Sequence, residues 1–175
     1  MKKTTLIWIL SLLILVLLLV LIGSFFISPN LSRSPSPASP PSFSDGQIVE
    51  IVITDSQSRA IKTQRPVVLS VSPAAITQGL SGQTTMPAEG MLFLLSQSKV
   101  HTFWMKEMNF PLDMIWFSQN TIVHLTSNAL APDPTTPLSQ LPLYTSQVPV
   151  DKVLEVTAGT IQELHLQVGD KLTIK

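Results

Sequence analysis

The amino-acid sequence predicts a mainly β domain behind an N-terminal transmembrane helix. The domain is expected to be a small barrel or sandwich with one or two short helices, and an α+β fold is the alternative. Three observations lead to this prediction. The first 27 of the 175 residues are almost entirely apolar, a proline- and serine-rich segment follows, and the rest of the chain holds many short runs rich in β-branched residues. The predicted organisation is an anchor over 1–27, a linker over 28–46 and a globular domain over 47–175.

The leader is long enough to cross a membrane. From Thr4 to Ile27, 19 of 24 residues are hydrophobic, and a helix of this length extends about 36 Å against a hydrocarbon core of about 30 Å. Lys2 and Lys3 precede the run, which predicts a single-pass protein of the cell membrane with a cytoplasmic N-terminus and an extracytoplasmic C-terminal domain. The alternative is a cleaved signal peptide and a secreted domain. The apolar run is longer than a signal core usually is, which favours the anchor.

The segment from 28 to 46 is expected to be an extended spacer. It holds five of the 14 prolines together with seven serines, and it offers little apolar surface to offset the entropy of ordering. The folded part is therefore expected to begin near Gln47.

Charge and composition exclude several functions. The net charge is zero, with 11 basic and 11 acidic residues, so no basic field predicts a nucleic-acid partner. The absence of cysteine excludes disulfides, thiolate zinc sites and cysteine nucleophiles. The three histidines, His101, His124 and His165, form no ligand motif, and no Gly-x-Ser-x-Gly elbow is present. No metal site and no cofactor are predicted.

Short runs rich in apolar and β-branched residues predict the strands of the domain. They are Ile48–Ile53, Val67–Val71, Met91–Leu95, His101–Met105, Met114–Phe117, Ile122–Thr126, Lys152–Val156 and Lys171–Ile174. Several are continuous apolar runs, which indicates burial on both faces. Asp113–Phe117 and Thr121–Leu125 predict a hairpin, with Asn120 at a positive φ in its turn. Residues 131–149 carry five prolines and are expected to be a loop packed over the domain.

Helix signals are few. Pro73–Gln78 is predicted to be a short helix with Ser72 as its N-cap and Gly79 at its end. One further turn is expected over Thr160–His165, before Gly169 and Asp170.

A series of short motifs follows in order through the globular part. They are Gly79-Leu80, Gly90-Met91-Leu92-Phe93, Phe103-Trp104-Met105-Lys106, Pro111-Leu112-Asp113-Met114, Tyr144-Thr145-Ser146, Val153-Leu154-Glu155-Val156 with Ala158-Gly159, and Gly169-Asp170. The series resembles the domain of unknown function family 192 over roughly 51–175. The resemblance implies a small, mostly β, single-domain fold, often exported behind a signal or anchor, with no established activity, cofactor or substrate. The charged residues that usually flank the Gly-Leu motif in that family are missing here, where residues 75–78 and 81–83 are uncharged.

Structural roles are predicted for the turn residues of this series, which are Gly79, Gly90, Gly159, Gly169 and Asp170. Asp170 follows a glycine and precedes the last predicted strand, as expected for a tight turn.

Trp104, Lys106 and Asp113 form the candidate ligand-binding site. Strand alternation places Trp104 and Lys106 on one face, with Phe103 on the other. An indole ring and an ammonium group suit an anionic or sugar-like ligand, and Asp113 would be the counter-charge. The alternative is that Trp104 fills the core while Lys106 and Asp113 form a structural ion pair.

Two carboxyl groups are the candidates for catalysis. Glu155 lies in an apolar strand, where burial would raise its pKa, and Asp113 of the Pro111-Leu112-Asp113-Met114 motif is the second candidate. The alternative for Glu155 is a side chain that faces solvent or accepts backbone N–H bonds.

The first hypothesis for the function is therefore a non-enzymatic, membrane-anchored extracytoplasmic module that binds a small ligand or an envelope component. The alternative is a hydrolase-type enzyme that uses Asp113 and Glu155 as acid and base. A further alternative is a structural module of an envelope complex, which a large exposed apolar patch would indicate.

Overall fold

The structure is a computed structural model that describes residues 42–175. The predicted anchor over 4–27 and the linker up to residue 41 lie outside the described residues. Within 42–175, no helix combines the length and the apolar character that crossing a membrane requires.

The described part of the chain contains nine strands and three short helical segments. In chain order they are β1 (Ile48–Thr54), β2 (Ile61–Ser70), α1 (Pro73–Gln78), β3 (Met91–Lys99), β4 (Thr102–Trp104), β5 (Leu112–Ser118), β6 (Thr121–Ala129), a 3-10 turn (Leu138–Gln140), β7 (Leu143–Thr145), β8 (Val150–Thr157), α2 (Thr160–Glu163) and β9 (Lys171–Ile174). The mainly β prediction is confirmed.

Seven strands close into a barrel in the order β1-β2-β3-β8-β5-β6-β9, and β1 closes it by pairing with β9. Of the two predicted architectures, the barrel is the one formed. All neighbours are antiparallel except β2 and β3. A parallel pair needs a crossover connection, and α1 with residues 79–90 provides it.

The barrel has a core on each side of its wall. Its lumen is filled by side chains from all seven strands, among them Ile51, Leu69 and Ile115. A second core lies on the outer face of β3, β5 and β8, around Phe93 and Trp116. The six residues from Leu112 to Phe117 are therefore all buried, which confirms the burial on both faces predicted from the continuous apolar runs.

A small two-stranded sheet, β4 paired with β7, covers the outer core. Phe103 of β4 packs edge to face against Phe93 and Trp116, with ring centroids 5.3 and 5.4 Å away. The prediction of a loop over 131–149 is wrong for β7 and for the 3-10 turn. Prolines flank β7 but do not interrupt it. Residues 143–145 form a strand because they pair with β4, which the composition of this segment did not indicate.

Helix α1 begins and ends where the sequence predicted. The Ala75 N–H donates to the Ser72 side chain at 3.2 Å, and Pro73 occupies the first turn. Gly79 has φ of 49° and donates its N–H to the Ala75 carbonyl at 2.8 Å, which ends the helix. The second helix is shorter than predicted and ends at Glu163.

The hairpin between β5 and β6 is formed, but its turn differs from the prediction. Ser118 pairs with Thr121, which leaves a two-residue loop. Gln119, and not Asn120, has the positive φ, at 55°. The loop is held from outside the hairpin: Lys152 Nζ donates to the Gln119 carbonyl at 2.6 Å, and the Leu172 N–H donates to the Asn120 carbonyl at 2.8 Å. These contacts orient the turn, and they come from residues outside it, so the sequence of the turn alone does not predict its conformation.

The last residues of the predicted linker make contacts with the barrel. The Asp45 carboxylate accepts the N–H groups of Val71 and Ser72 at 2.7 and 2.9 Å. Hydrogen bonding by the Ser72 side chain, and then by these two N–H groups, lowers the pKa of Asp45. Phe43 packs against the lumen core.

Candidate ligand-binding site

A cavity of about 240 Å³ lies between α1, β4 and the outer face of the barrel. Its walls are residues 76–81, Phe93, β4, Met108 and Glu155. Four of the motifs that resemble family 192 contribute to it, through Gly79-Leu80, Phe93, Phe103-Trp104 and Glu155. These motifs are far apart in the sequence, and the fold brings them to one place.

Trp104 forms part of the rim of the cavity. Its side chain is 43% exposed, while Phe103 and Met105 on either side of it turn into the outer core. The arrangement follows the alternation predicted for β4. Trp104 therefore does not fill the core, and its ring is accessible from the cavity.

Lys106 lies beside Trp104 but on a neighbouring depression of about 430 Å³, which Trp104 also lines. Its Nζ atom is 3.3 Å from Oε1 of Glu107, and the two side chains are 36% and 62% exposed. An exposed pair of this kind contributes little to stability.

Asp113 is not part of this surface. Its carboxylate is buried and accepts the N–H groups of Asn128 and Ile161, each at 2.8 Å. The prediction that Asp113 joins Trp104 and Lys106 in a ligand site is therefore not supported by its position. The alternative ion pair with Lys106 is not formed either, because Lys106 is paired with Glu107. Asp113 instead ties β6 and α2 to β5.

Glu155 is the buried acidic group of the cavity. It lies on the outer face of β8, between Met91 of β3 and Met114 of β5 in the strand register. Its side chain is 5% exposed, and burial raises the pKa of Glu155 to about 8. Within residues 42–175 no hydrogen bond to its carboxyl group and no cation opposes this effect of burial. Both predicted alternatives, exposure to solvent and a brace for backbone N–H groups, are wrong.

Gly90 allows the backbone before β3 to lie close to β8 at this point. A Cβ atom on Gly90 would lie 2.8 Å from the Glu155 carbonyl oxygen and 3.1 Å from a methyl carbon of Val156. Glycine is therefore required where β3 meets the strand that carries Glu155.

The two candidate catalytic carboxyl groups do not face each other. Asp113 is paired with Val156, so it lies on the lumen face, and Glu155 lies on the outer face of the same sheet. The predicted acid–base pair across one cleft is therefore not assembled.

Asp170 is a second buried carboxylate with structural contacts. It accepts the N–H groups of Ser56 and Gln167 at 3.2 and 2.9 Å, and Lys62 Nζ lies 2.9 Å from its Oδ2 atom. Gly159 and Gly169 both have positive φ, at the turns before α2 and β9.

The residues from 42 to 175 contain no group of three His, Asp or Glu side chains arranged to hold a metal ion. His101 contacts the Gln97 carbonyl at 2.9 Å, and the ring of His124 lies 6.4 Å from that of Trp116.

The cavity includes residues that the sequence reasoning did not single out. Thr102, Met108 and the residues from Ile76 to Gln78 all line it. Only the position of Gly79-Leu80 among the motifs pointed to this wall. The remainder depends on how α1, β4 and Met108 pack against the outer face of the barrel.

The fold and the site define a small closed β-barrel with an outer layer, in which an open cavity contains one buried carboxyl group. The family model of DUF192, described as an uncharacterized ACR, matches residues 47–174. The chain belongs to this family.

Two solved structures are similar to the described fold. A proposed transcription regulator from Sinorhizobium meliloti 1021 is 30% identical, with a TM-score of 0.64, over 76% of this chain and 98% of that one. A protein of unknown function from Novosphingobium aromaticivorans DSM 12444 is 24% identical, with a TM-score of 0.62, over 81% and 98%. No curated protein matches the chain.

Proposed function

We propose that the barrel is a binding module for a small organic ligand, which occupies the cavity between Trp104 and Glu155. The observation that carries this proposal is the combination of a half-exposed indole ring at the rim and a buried carboxyl group in the wall. No hydrogen bond to the Glu155 carboxyl group is formed within residues 42–175, and the group lines an open space, so we expect a ligand to complete its hydrogen bonding.

The surroundings of Glu155 support binding by contact with a mainly apolar body. Phe93, Phe103, Leu80 and Met108 line the cavity together with the indole of Trp104, and polar groups are contributed by Thr77, Gln78, Ser81 and Thr102. Apolar walls with a few converging polar groups are typical of small-molecule sites.

The enzymatic alternative retains one supporting observation. A carboxyl group whose pKa is about 8 could serve as a general acid near neutral pH. Its predicted partner, Asp113, faces the lumen and is saturated by backbone N–H groups. Binding without catalysis is therefore the function we favour, and turnover of a bound compound would be the result that favours the enzyme.

The exposed apolar surface beside the site gives limited support to the further alternative, a structural module. Leu143 of β7 is exposed and pairs with Trp104 across the two-stranded sheet. Two such side chains are a smaller patch than stable protein interfaces usually bury.

A nucleic-acid ligand is not proposed. Residues 47–175 hold eight basic and ten acidic side chains, so the domain offers no excess of positive charge to phosphate groups.

We further propose that residues 4–27 anchor the protein in the cell membrane and that the barrel lies on the extracytoplasmic side. The support is the apolar run and the two lysines that precede it. In intact cells, protease added from outside should remove a tag at the C-terminus and spare one at the N-terminus. Degradation of neither tag, with both lost after lysis, would contradict this topology, and a C-terminal fragment in the medium would indicate cleavage.

Binding is tested with the full chain in a nonionic detergent, screened against small organic compounds by thermal shift. Compounds that raise the melting temperature of the wild type are then compared with Trp104→Ala, Lys106→Ala and the control Val168→Ala, an exposed apolar residue elsewhere. A shift lost in Trp104→Ala and kept in Val168→Ala supports the site. Loss in Lys106→Ala as well would place the ligand in the neighbouring depression, and a shift that survives both changes would refute the assignment.

A further inference from the structure

Among residues 42–175, a single ionisable side chain lines the cavity. Residues 76–81, Phe93, Thr102–Trp104 and Met108 are all uncharged, and Glu155 is the exception. The cross-strand neighbours of Glu155 are two methionines, Met91 and Met114. No titratable or charged group from α1, β3, β4 or β5 lines the cavity within the described residues. Lys106, two residues after Trp104 in the sequence, lines the neighbouring depression and is paired with Glu107.

The walls of the cavity also suit a positive charge. Three aromatic side chains line it, Phe93, Phe103 and Trp104. The face of an aromatic ring attracts a cation, most strongly when the ring is an indole and water is partly excluded. A carboxylate and an indole that line the same open cavity favour the same kind of ligand.

We propose that this cavity binds a small organic ammonium ion, a primary or secondary amine on an apolar body, whose N–H groups donate to the Glu155 carboxylate while the cation lies against the Trp104 ring. The inference rests on the proposed function, because it names the ligand class of the same site. It replaces the anionic or sugar-like ligand expected from the sequence, since the acidic group and not Lys106 lines the cavity.

Binding is coupled to the loss of one proton. Burial favours the neutral carboxyl group in the empty cavity, while an ammonium ion pairs with the ionised form. The proton of Glu155 therefore passes to the buffer when the amine binds, and the ligand keeps its own proton. The net charge of the site is the same before and after binding, because the bound cation replaces the released proton, so no uncompensated charge is buried.

The probes are benzylamine, benzyl alcohol and benzoate, which share a phenyl ring and differ in the charge of one group. Isothermal titration calorimetry on the full chain in a nonionic detergent should give an affinity for benzylamine about tenfold or more above that for the other two. Glu155→Gln should lower the benzylamine affinity by about tenfold or more. The matched control is Glu163→Gln, an exposed acidic residue on α2, which should leave the affinity unchanged.

The proton release is measured on the wild type, so it does not depend on the folding of a variant. Titration at pH 7 in two buffers with different ionisation enthalpies should report close to one proton released per benzylamine bound. The affinity should rise about tenfold between pH 6.5 and 7.5, because Glu155 titrates above this interval. Binding of benzyl alcohol should release no proton.

The outcomes separate this inference from the proposed function. Binding of benzyl alcohol or benzoate as tightly as benzylamine, with loss in Trp104→Ala, would overturn the amine class and leave the binding site in place. Benzylamine binding without proton release, or unaffected by Glu155→Gln, would also overturn the inference. If no compound of any charge binds in a manner that depends on Trp104, the proposed function fails together with it.

Discussion

Asp113 and Glu155 lie on neighbouring strands one register position apart, and their side chains occupy opposite faces of the same sheet. The lumen-facing carboxylate is satisfied by two backbone N–H groups, and the outward-facing carboxyl group is desolvated in a cavity. Two acidic residues close in space therefore have different environments, because alternation along a strand separates them.

The first prediction concerns the pH dependence that Glu155 imposes on stability. Its pKa is raised from 4.5 to about 8 in the folded state, so the folded protein binds the proton more tightly than the unfolded chain. The stabilisation is fully present below about pH 4.5 and is lost as the pH rises toward 8, with a total on the order of 4 kcal/mol. Glu155→Gln should remove this dependence, so its free energy of unfolding relative to the wild type should increase from pH 5 to pH 8.

Denaturation with urea at pH 5, 6.5 and 8 checks this prediction, with Glu163→Gln as the control for an exposed acid. A constant difference between Glu155→Gln and the wild type across the three pH values would show that the carboxyl group is not desolvated in the folded protein.

The second prediction concerns the brace formed by Asp113. Asn in this position presents one acceptor oxygen, so one of the N–H groups of Asn128 and Ile161 would lose its partner. Asp113→Asn should lower the free energy of unfolding by about 1–3 kcal/mol, without a change in ligand affinity. Chemical denaturation and calorimetry measure the two effects. If Asp113→Asn remains folded but loses affinity for the ligand, Asp113 contributes to the binding site and this prediction is wrong.

The third prediction concerns Lys62, which neutralises the buried Asp170. The Lys62 side chain is 13% exposed and that of Asp170 is 1% exposed, with 2.9 Å between Nζ and Oδ2. Lys62→Met would leave Asp170 buried without its cation and should lower stability by about 3 kcal/mol. Lys171→Met, which removes an exposed lysine bonded to the Thr121 hydroxyl, should have an effect below about 1 kcal/mol. Equal effects of the two changes in thermal denaturation would contradict a structural role for the pair.

The fourth prediction compares two glycines. Gly82→Ala introduces a Cβ atom with no other atom within 4 Å, so only its φ of 77° is unfavourable, at about 1 kcal/mol. Gly90→Ala adds a contact of 2.8 Å with the Glu155 carbonyl and should be the more destabilising of the two, by about 2 kcal/mol or more. The melting temperatures of the two variants provide the test, and the opposite order would mean that β3 and β8 can separate at low cost.

The sequence predicts the elements whose structure is determined by their own residues. Helix α1 is predicted by its caps, Ser72 and Gly79, and by Pro73 in its first turn, and most of β5 is predicted by the uninterrupted apolar run Met114–Phe117. The first half of β2 was missed. Residues 61–66 are mostly polar and end in a proline, and they become a strand by pairing with β1. The same holds for β7, whose strand geometry comes from β4.

The site was predicted in part for a similar reason. Alternation correctly separated Trp104 from Phe103, because that relationship lies within one strand. Whether Glu155 faces water, backbone or a cavity depends on residues 76–81, β4 and Met108, which form the other walls of the cavity on the outer face of the barrel. No spacing in the sequence encodes such packing, so the carboxyl group and the indole were not assigned to a common site.

The pairing of β1 with β9 has a consequence for how the barrel forms. The two strands that close it come from opposite ends of the domain, and the Lys175 N–H donates to the Glu50 carbonyl at 2.8 Å. A seam between distant segments forms only after a long loop has been closed, which slows folding. Until then β1 has one unpaired edge rich in valine and isoleucine, which favours association between chains. During synthesis this edge remains open until the final strand has left the ribosome, so we expect the nascent domain to need protection for most of its translation.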